Sequence, residues 1–420
     1  MDIHQEFTEW AQRRGLEIID IKAQRFCERG MGIMARKDIQ AKTVILRVPY
    51  SALRTQDTVS PKVLEAIKGS QRMSIHGLLA MDHIFLNSQI ITTNTTTATA
   101  GILAKSSEGV GSSSNNGYDN DNYKPWHDVL PKFSEFQESM SICWPSSLQE
   151  LLPPISKILL QKQQKKIQKD WCIASKAWPH LIYENYLYAW LLINTRTFYF
   201  IPPSKYRSGS NQSNSVPGGH YSILHRDDCM ALNPFSDYFN HNPSPSATVQ
   251  ITNRAFEIST TRDIKANEEL TISYGNHSND FLLAEYGFFL DENPWDEVLL
   301  DDYIFPLLNS SQKERLECVG FLGNYILDRN SVCYRTQVVL RILCLSSLRW
   351  EIFVKGLDDG EKDQPQIDQI LCNILIKFRK DIQKILEGIS SLGGDFSTQK
   401  ALLGKRWIQI DNLLKATLDQ

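Results

Sequence analysis

No C-x-x-C pair occurs in this chain of 420 residues, and no apolar run reaches the roughly 18 residues that span a bilayer. The eight cysteines, Cys27, Cys143, Cys172, Cys229, Cys318, Cys333, Cys344 and Cys372, are scattered and share no zinc-site spacing with the histidines. That excludes a structural zinc, and no metal is expected. The opening MDIHQEFTEWAQRRG has no apolar signal core. A formal net charge of -3 provides no global field for nucleic acid or an anionic membrane, so any basic partner surface must be local. These absences predict a soluble protein of a reducing compartment, cytoplasm or nucleus, with no direct nucleic-acid or membrane partner. The hydrophobic share of 42% over this length allows two or three domains with cores of their own.

Residues 20–50 alternate in short apolar runs and read as strands, whereas 60–87 and 146–193 carry helical spacing. Between the helical stretches, residues 92–122 are rich in Thr, Ser, Asn and Gly and hold too little apolar surface to offset ordering entropy, which predicts a disordered loop. A second polar stretch, Ser204 to Gly219, reads as a surface loop. Beyond residue 300 the pattern is helical throughout. Ile367, Ile370, Leu371, Ile374, Leu375, Phe378, Ile382, Ile385, Leu386 and Ile389 form one apolar stripe, with Gly388 and Gly393-Gly394 as the stop and a last helix around Trp407 to Leu414.

Chemistry concentrates between Cys229 and Phe288. NPFSDYFNH sets a carboxylate, an amide and an imidazole at Asp237, Asn240 and His241, and Pro234 and Pro243 rule out a long helix there. In EELTISYG the period-2 spacing of Leu270, Ile272 and Tyr274 predicts a strand that delivers a tyrosine hydroxyl at its end, where Gly275 can turn the chain. Far upstream, Gly30, Met31 and Gly32 fit a turn that lets a ligand approach the backbone, although a plain hairpin needs the same glycines. Taken singly, Tyr274 reads as a buried strand tyrosine, Arg196 as a helix-face salt bridge, and Tyr286 and Phe288 as core.

In order, RGMGIMARKDI, PWHDVLP, NTRTF, the Asn-His block, EELTISYG and Tyr286-Gly287-Phe288 make the chain resemble the SET-domain protein lysine methyltransferases. The wide gap between Gly32 and Asn240 resembles the branch of the Rubisco large-subunit methyltransferase, whose relatives modify ribosomal and other non-histone proteins. The absence of a cysteine cluster after Phe288 separates the chain from histone-directed SET enzymes closed by zinc. The resemblance implies an α+β fold with a knotted β-rich SET domain, a helical insert and an all-helical, substrate-binding C-terminal domain. On this scheme residues 1–58 are the first half of the SET domain, 59–222 the insert, 223–290 the second half and 291–420 the helical domain.

The resemblance further implies S-adenosylmethionine (AdoMet) as cofactor, held by Gly30, Met31, Gly32, Thr195, Arg196, Asn240, His241, Tyr286 and Phe288. It implies Tyr274 as the catalytic residue, Arg196 and Asp237 as substrate-binding residues, and a protein substrate. Lysine is the expected acceptor, with histidine, or a catalytically silent binding scaffold, as the alternatives. The chain departs from the family at Asn267, where glycine is usual before Glu-Glu-Leu. Asparagine tolerates the left-handed conformation such a turn needs. The aromatic residue that completes the lysine channel is not assigned, Thr248, Val249 and Phe256 being the nearest candidates.

Overall fold

Asp2 caps the first helix, α1 (Ile3–Arg13), by accepting from the His4 amide, and Gly15, at φ 87°, lets the chain leave it. This computed structural model describes residues 2–27, 29–95, 123–201, 229–329 and 331–419. By internal packing the chain divides into two units, Met1–Lys132 with Lys165–Tyr274, and Phe133–Gln164 with Gly275–Gln420. Among the described residues no helix is long and apolar enough to cross a membrane.

The strands of the first unit are β1 (Glu17–Ile18), β2 (Ile21–Phe26), β3 (Gly30–Ala35), β4 (Val44–Pro49), β5 (Thr197–Tyr199), β6 (Met230–Leu232), β7 (Asn240–His241), β8 (Ala247–Ile251), β9 (Ala255–Thr260) and β10 (Glu269–Ile272). They form two four-stranded sheets, ordered β1-β4-β9-β8 and β2-β3-β10-β7, and the pair β5-β6. β10 is antiparallel to β3 and parallel to β7, with Thr271 opposite Asn240 and Ile272 opposite His241. The expected alternation has a second buried side: Thr271 is 4% exposed, as buried as Leu270 and Ile272. Its amide donates to Ser246 Oγ at 2.9 Å, so a polar pair satisfies the face that periodicity would turn to water. Asn267 does adopt the left-handed conformation, at φ 67°, while its amide donates to the Ala35 carbonyl at 2.9 Å.

The first helical stretch breaks in two, α2 (Pro61–Ala66) and α3 (Ile75–Thr95), because the intervening segment contains Gly69 at φ 80°. α3 carries residues 92–95 of the expected disordered loop as helical backbone, and the rest of that loop lies outside the described residues, as does Ser204 to Gly219. The short α4 (Lys124–Asp128) follows. The second helical stretch is also interrupted, by prolines: α5 (Phe133–Ser139) leads into α6 (Ser146–Gln149), α7 (Pro154–Ala177) and α8 (Tyr183–Arg196).

In the second unit, the stripe from Ile367 to Ile389 is the inward face of a 28-residue helix, Gln364–Ser391, packed with the helix Ser397–Leu418. Gly388 lies inside the first of these rather than ending it, and Gly394, at φ 94°, makes the turn. The domain is helical with one exception to the expected pattern: Glu297–Leu299 and Ile326–Asp328 pair as an antiparallel ribbon, runs too short to establish helical periodicity. A buried ion cluster pins the last helix. Arg406 Nε donates to Asp280 Oδ1 at 2.9 Å, and its two Nη atoms reach the Asp296 carboxylate at 2.7 and 3.0 Å, with the Arg406 side chain 0% exposed. Arg406→Met would leave both aspartates buried without their cation, and it should destabilise the second unit by about 3–5 kcal/mol in urea unfolding. An unchanged midpoint would contradict that assignment.

Candidate active site

Three strands meet where Gly32 removes a side chain. A Cβ on Gly32 would stand 2.7 Å from Asn240 Nδ2 and 2.9 Å from Glu269 Oε1, so glycine lets these two side chains close over β3 in their present positions. Across this gap the Asn240 amide donates to Glu269 Oε1 at 2.8 Å. Arg29 completes the set, with Nη1 at 2.8 Å from Glu269 Oε2 and Nη2 at 2.9 Å from the His241 carbonyl. At Gly30, φ 70°, a Cβ would meet nothing within 4 Å, so the backbone there faces open space. Gly30, Met31 and Gly32 do not form the expected turn: they open β3, paired with Phe26, Arg25 and Gln24 of β2, and Met31 is half-buried.

Tyr274 leaves the end of β10 as the alternation predicted. Its amide donates to His241 Nδ1 at 3.0 Å, which assigns the imidazole proton to Nε2, and its hydroxyl donates to the Phe239 carbonyl at 2.8 Å. The two rings lie 5.2 Å apart. Gly30, Met31, Gly32, Asn240, His241 and Tyr274 therefore gather about one sheet crossing. The segment before it is held from behind by α1, whose Phe7 packs on Phe235 at 6.3 Å and on Tyr238 at 5.6 Å between ring centroids. Phe235 is itself strained, at φ 67° and fully buried.

Arg196 and Asp237 form a second group, lining one cavity with Arg54, His83, Trp126 and His127. Trp126 Nε1 donates to Asp237 Oδ2 at 3.2 Å, and burial raises the Asp237 carboxyl although Arg196 and Trp126 pull the other way. Arg196 Nε and both His127 nitrogens find no hydrogen-bond partner among the described residues. Thr195 stands beside Arg196, but its hydroxyl bonds back to the Leu191 carbonyl at 2.9 Å within α8. Tyr286 and Phe288 belong to the second unit, their rings 6.2 Å apart, and burial pushes the Tyr286 phenol up to about 12. Phe256 is buried in β9 with its ring 5.3 Å from Phe198 of NTRTF, a core contact.

Sequence reasoning missed Arg29, Glu269 and the histidines. Arg29 and Glu269 were visible as charges flanking the glycine turn and opening EELTISYG, yet their pairing is 240 residues apart and leaves no local signal.

The SET domain family description matches residues 30–275, more than half of the chain. The chain belongs to the SET domain family. The description of the ribosomal lysine N-methyltransferase 2 C-terminal domain matches residues 296–420, beyond the SET domain. Mouse SET domain-containing protein 4 is 25% identical over 94% of this chain and 87% of its own length. Ribosomal lysine N-methyltransferase 2 of Saccharomyces cerevisiae is 24% identical over 69% of this chain and 67% of its own. The solved structure of Rubisco LSMT bound to AdoMet covers 100% of this chain and 92% of its own, at a TM-score of 0.53 and 16% identity, a likeness of SET fold.

Three buried imidazoles should make this SET domain acid-sensitive. Burial, with Lys166 beside it, lowers His76 to about 3. Burial, with Arg54 beside it, lowers His127 to about 3, and burial, with His127 and Arg54 beside it, lowers His83. Unfolded imidazoles titrate near 6.5, so below that pH the unfolded chain takes up protons that the folded one refuses. Stability should be complete above pH 6.5 and fall toward pH 3 by up to about 1.4 kcal/mol per pH unit for each of His76 and His127, with His83 acting in the same direction. The urea midpoint should be lower at pH 5.5 than at 7.5, and less so in His127→Phe; a midpoint flat across that range would contradict it.

Proposed function

We propose that this chain transfers a methyl group from AdoMet to a lysine ε-amine of a ribosomal or other non-histone protein. The observation that carries the reading is Tyr274, its main chain fixed on His241 and its hydroxyl on the Phe239 carbonyl, beside the crossing of β3, β7 and β10. The residues present fit the cofactor. The open space at Gly30 admits a ligand to the backbone, the Arg29 guanidinium suits a carboxylate, and the Asn240 amide and Glu269 carboxylate supply polar partners. When bound, AdoMet supplies an electrophilic methyl group on a sulfonium, open to direct displacement by a neutral amine.

The chain's own task is to present that amine aligned and without its proton. A free lysine, with a pKa of ~10.4, is neutral in about one molecule in a thousand or fewer at pH 7. Partial burial among aromatic rings favours the neutral form. The Tyr274 hydroxyl donates its proton to Phe239, so its oxygen lone pairs are left to accept an amine N–H and aim the nitrogen lone pair. Asp237 and Arg196, which line one cavity, are assigned to the substrate, and Tyr286 and Phe288 to the cofactor wall.

The name of the yeast relative and the match over 296–420 support a ribosomal protein as substrate. A silent scaffold would have no need of Tyr274, Asn240 and His241 together. The reading extends to a reducing compartment, cytoplasm or nucleus, supported by eight cysteines that are all free thiols.

Tyr274→Phe keeps the ring and should bind AdoMet with parental affinity by calorimetry. Single-turnover methyl transfer should fall by two to three orders of magnitude, the ~2.7–4 kcal/mol of a lost preorganised hydrogen bond. A variant that transfers at the parental rate would make Tyr274 a packing residue and sink the mechanism.

A further inference from the structure

α7 (Pro154–Ala177) carries six lysines, Lys157, Lys162, Lys165, Lys166, Lys169 and Lys176, against one acid, Asp170. At about 100° per residue, Lys162, Lys165, Lys169 and Lys176 fall in one sector about 60° wide, and at 1.5 Å rise they extend over roughly 21 Å of the helix. All four are exposed, and none has an ion-pair partner among the described residues. The helix's one acid cannot neutralise them. Asp170 points the other way, fully buried, accepting from the Ser74 amide at 2.9 Å and from Trp190 Nε1 at 3.4 Å. Lys166, at the edge of the sector, is turned onto His76 at 2.9 Å.

We propose that this lysine face of α7 docks on the phosphate backbone of duplex RNA. The chemistry of the face selects the partner. Protein interfaces are depleted in lysine and enriched in arginine and aromatics, and no arginine or aromatic residue shares this sector. Lysine suits phosphate as a point charge, and Gln161 and Gln168 at the edge of the sector, both exposed, add neutral donors of the kind that contact phosphate oxygens. One strand of a duplex presents a phosphate about every 3.4 Å of axis, so a stripe of this length meets several of them. The net charge of -3 gives the whole molecule no attraction for nucleic acid, which makes the contact local. The choice of RNA rests on the reading of the substrate as a ribosomal protein, set among RNA.

The test reads binding without methyl transfer, so its failure leaves the enzymatic reading standing. The full chain and a variant with Lys162, Lys165, Lys169 and Lys176 all changed to Gln are titrated against a labelled RNA duplex, a DNA duplex of the same sequence and poly-glutamate. The proposal expects the parent to bind RNA with a log–log salt slope of about -3 to -4, the release of about four counterions. The variant should bind at least tenfold more weakly with a slope near zero, at unchanged AdoMet affinity. A readout independent of the variant is Cys172, an exposed free thiol on the same side of α7: RNA should slow its alkylation and leave exposed Cys318 unaffected. Tighter binding to DNA or poly-glutamate, no binding at 50 mM salt, equal binding by the variant, or an unprotected Cys172 would each overturn the assignment.

Discussion

The structure of the site depends on one close approach: the side chains of Asn240 and Glu269 close over residue 32, where a side chain would have to push them aside. At that point Asn240, Glu269 and Arg29 hydrogen-bond across strands distant in sequence, and the parallel pairing of β7 with β10 sets Asn240 and His241 beside the strand that ends in Tyr274. A methyl there would enter the Asn240 amide and displace the bond to Glu269. The interaction is electrostatic as well as steric. Glu269 is mostly buried and pairs with Arg29 through Oε2, which leaves Oε1 toward Asn240.

Positions governed by local rules were legible before any coordinates. Tyr274 could be placed at a strand end because Leu270 and Ile272 share its parity, and Asn267 could be given a left-handed backbone because its side chain tolerates one. What escaped reading was long-range: the Arg29–Glu269 pair, the histidines gathered around Arg196 and Asp237, and Thr271, buried although it is polar. None of these follows from periodicity, because each partner is fixed by how distant segments pack. The breaks within the two helical stretches were marked by Gly69 and the prolines, whose effect periodicity over long windows smoothed away.

The second unit is held by different physics. Its helices bury a continuous aliphatic face, and Arg406 satisfies Asp280 and Asp296 within the same interior. A buried cation with two carboxylates contributes less to net stability than apolar residues of equal volume would, but it tolerates no loss of a partner and admits few alternative arrangements. We read it as a device for register, fixing the last helix against the segment from 279 to 296. The helical stripe was plain in the sequence, and the ion cluster was not.

The central claim is that this site methylates lysine using AdoMet. The most direct measurement is incubation of the protein with isotope-labelled AdoMet and a lysate from cells that lack it, followed by mass spectrometry of the labelled peptide. The account predicts label on the ε-nitrogen of a lysine in a ribosomal or other non-histone protein. Label on histidine, or AdoMet bound with no label transferred, would contradict it.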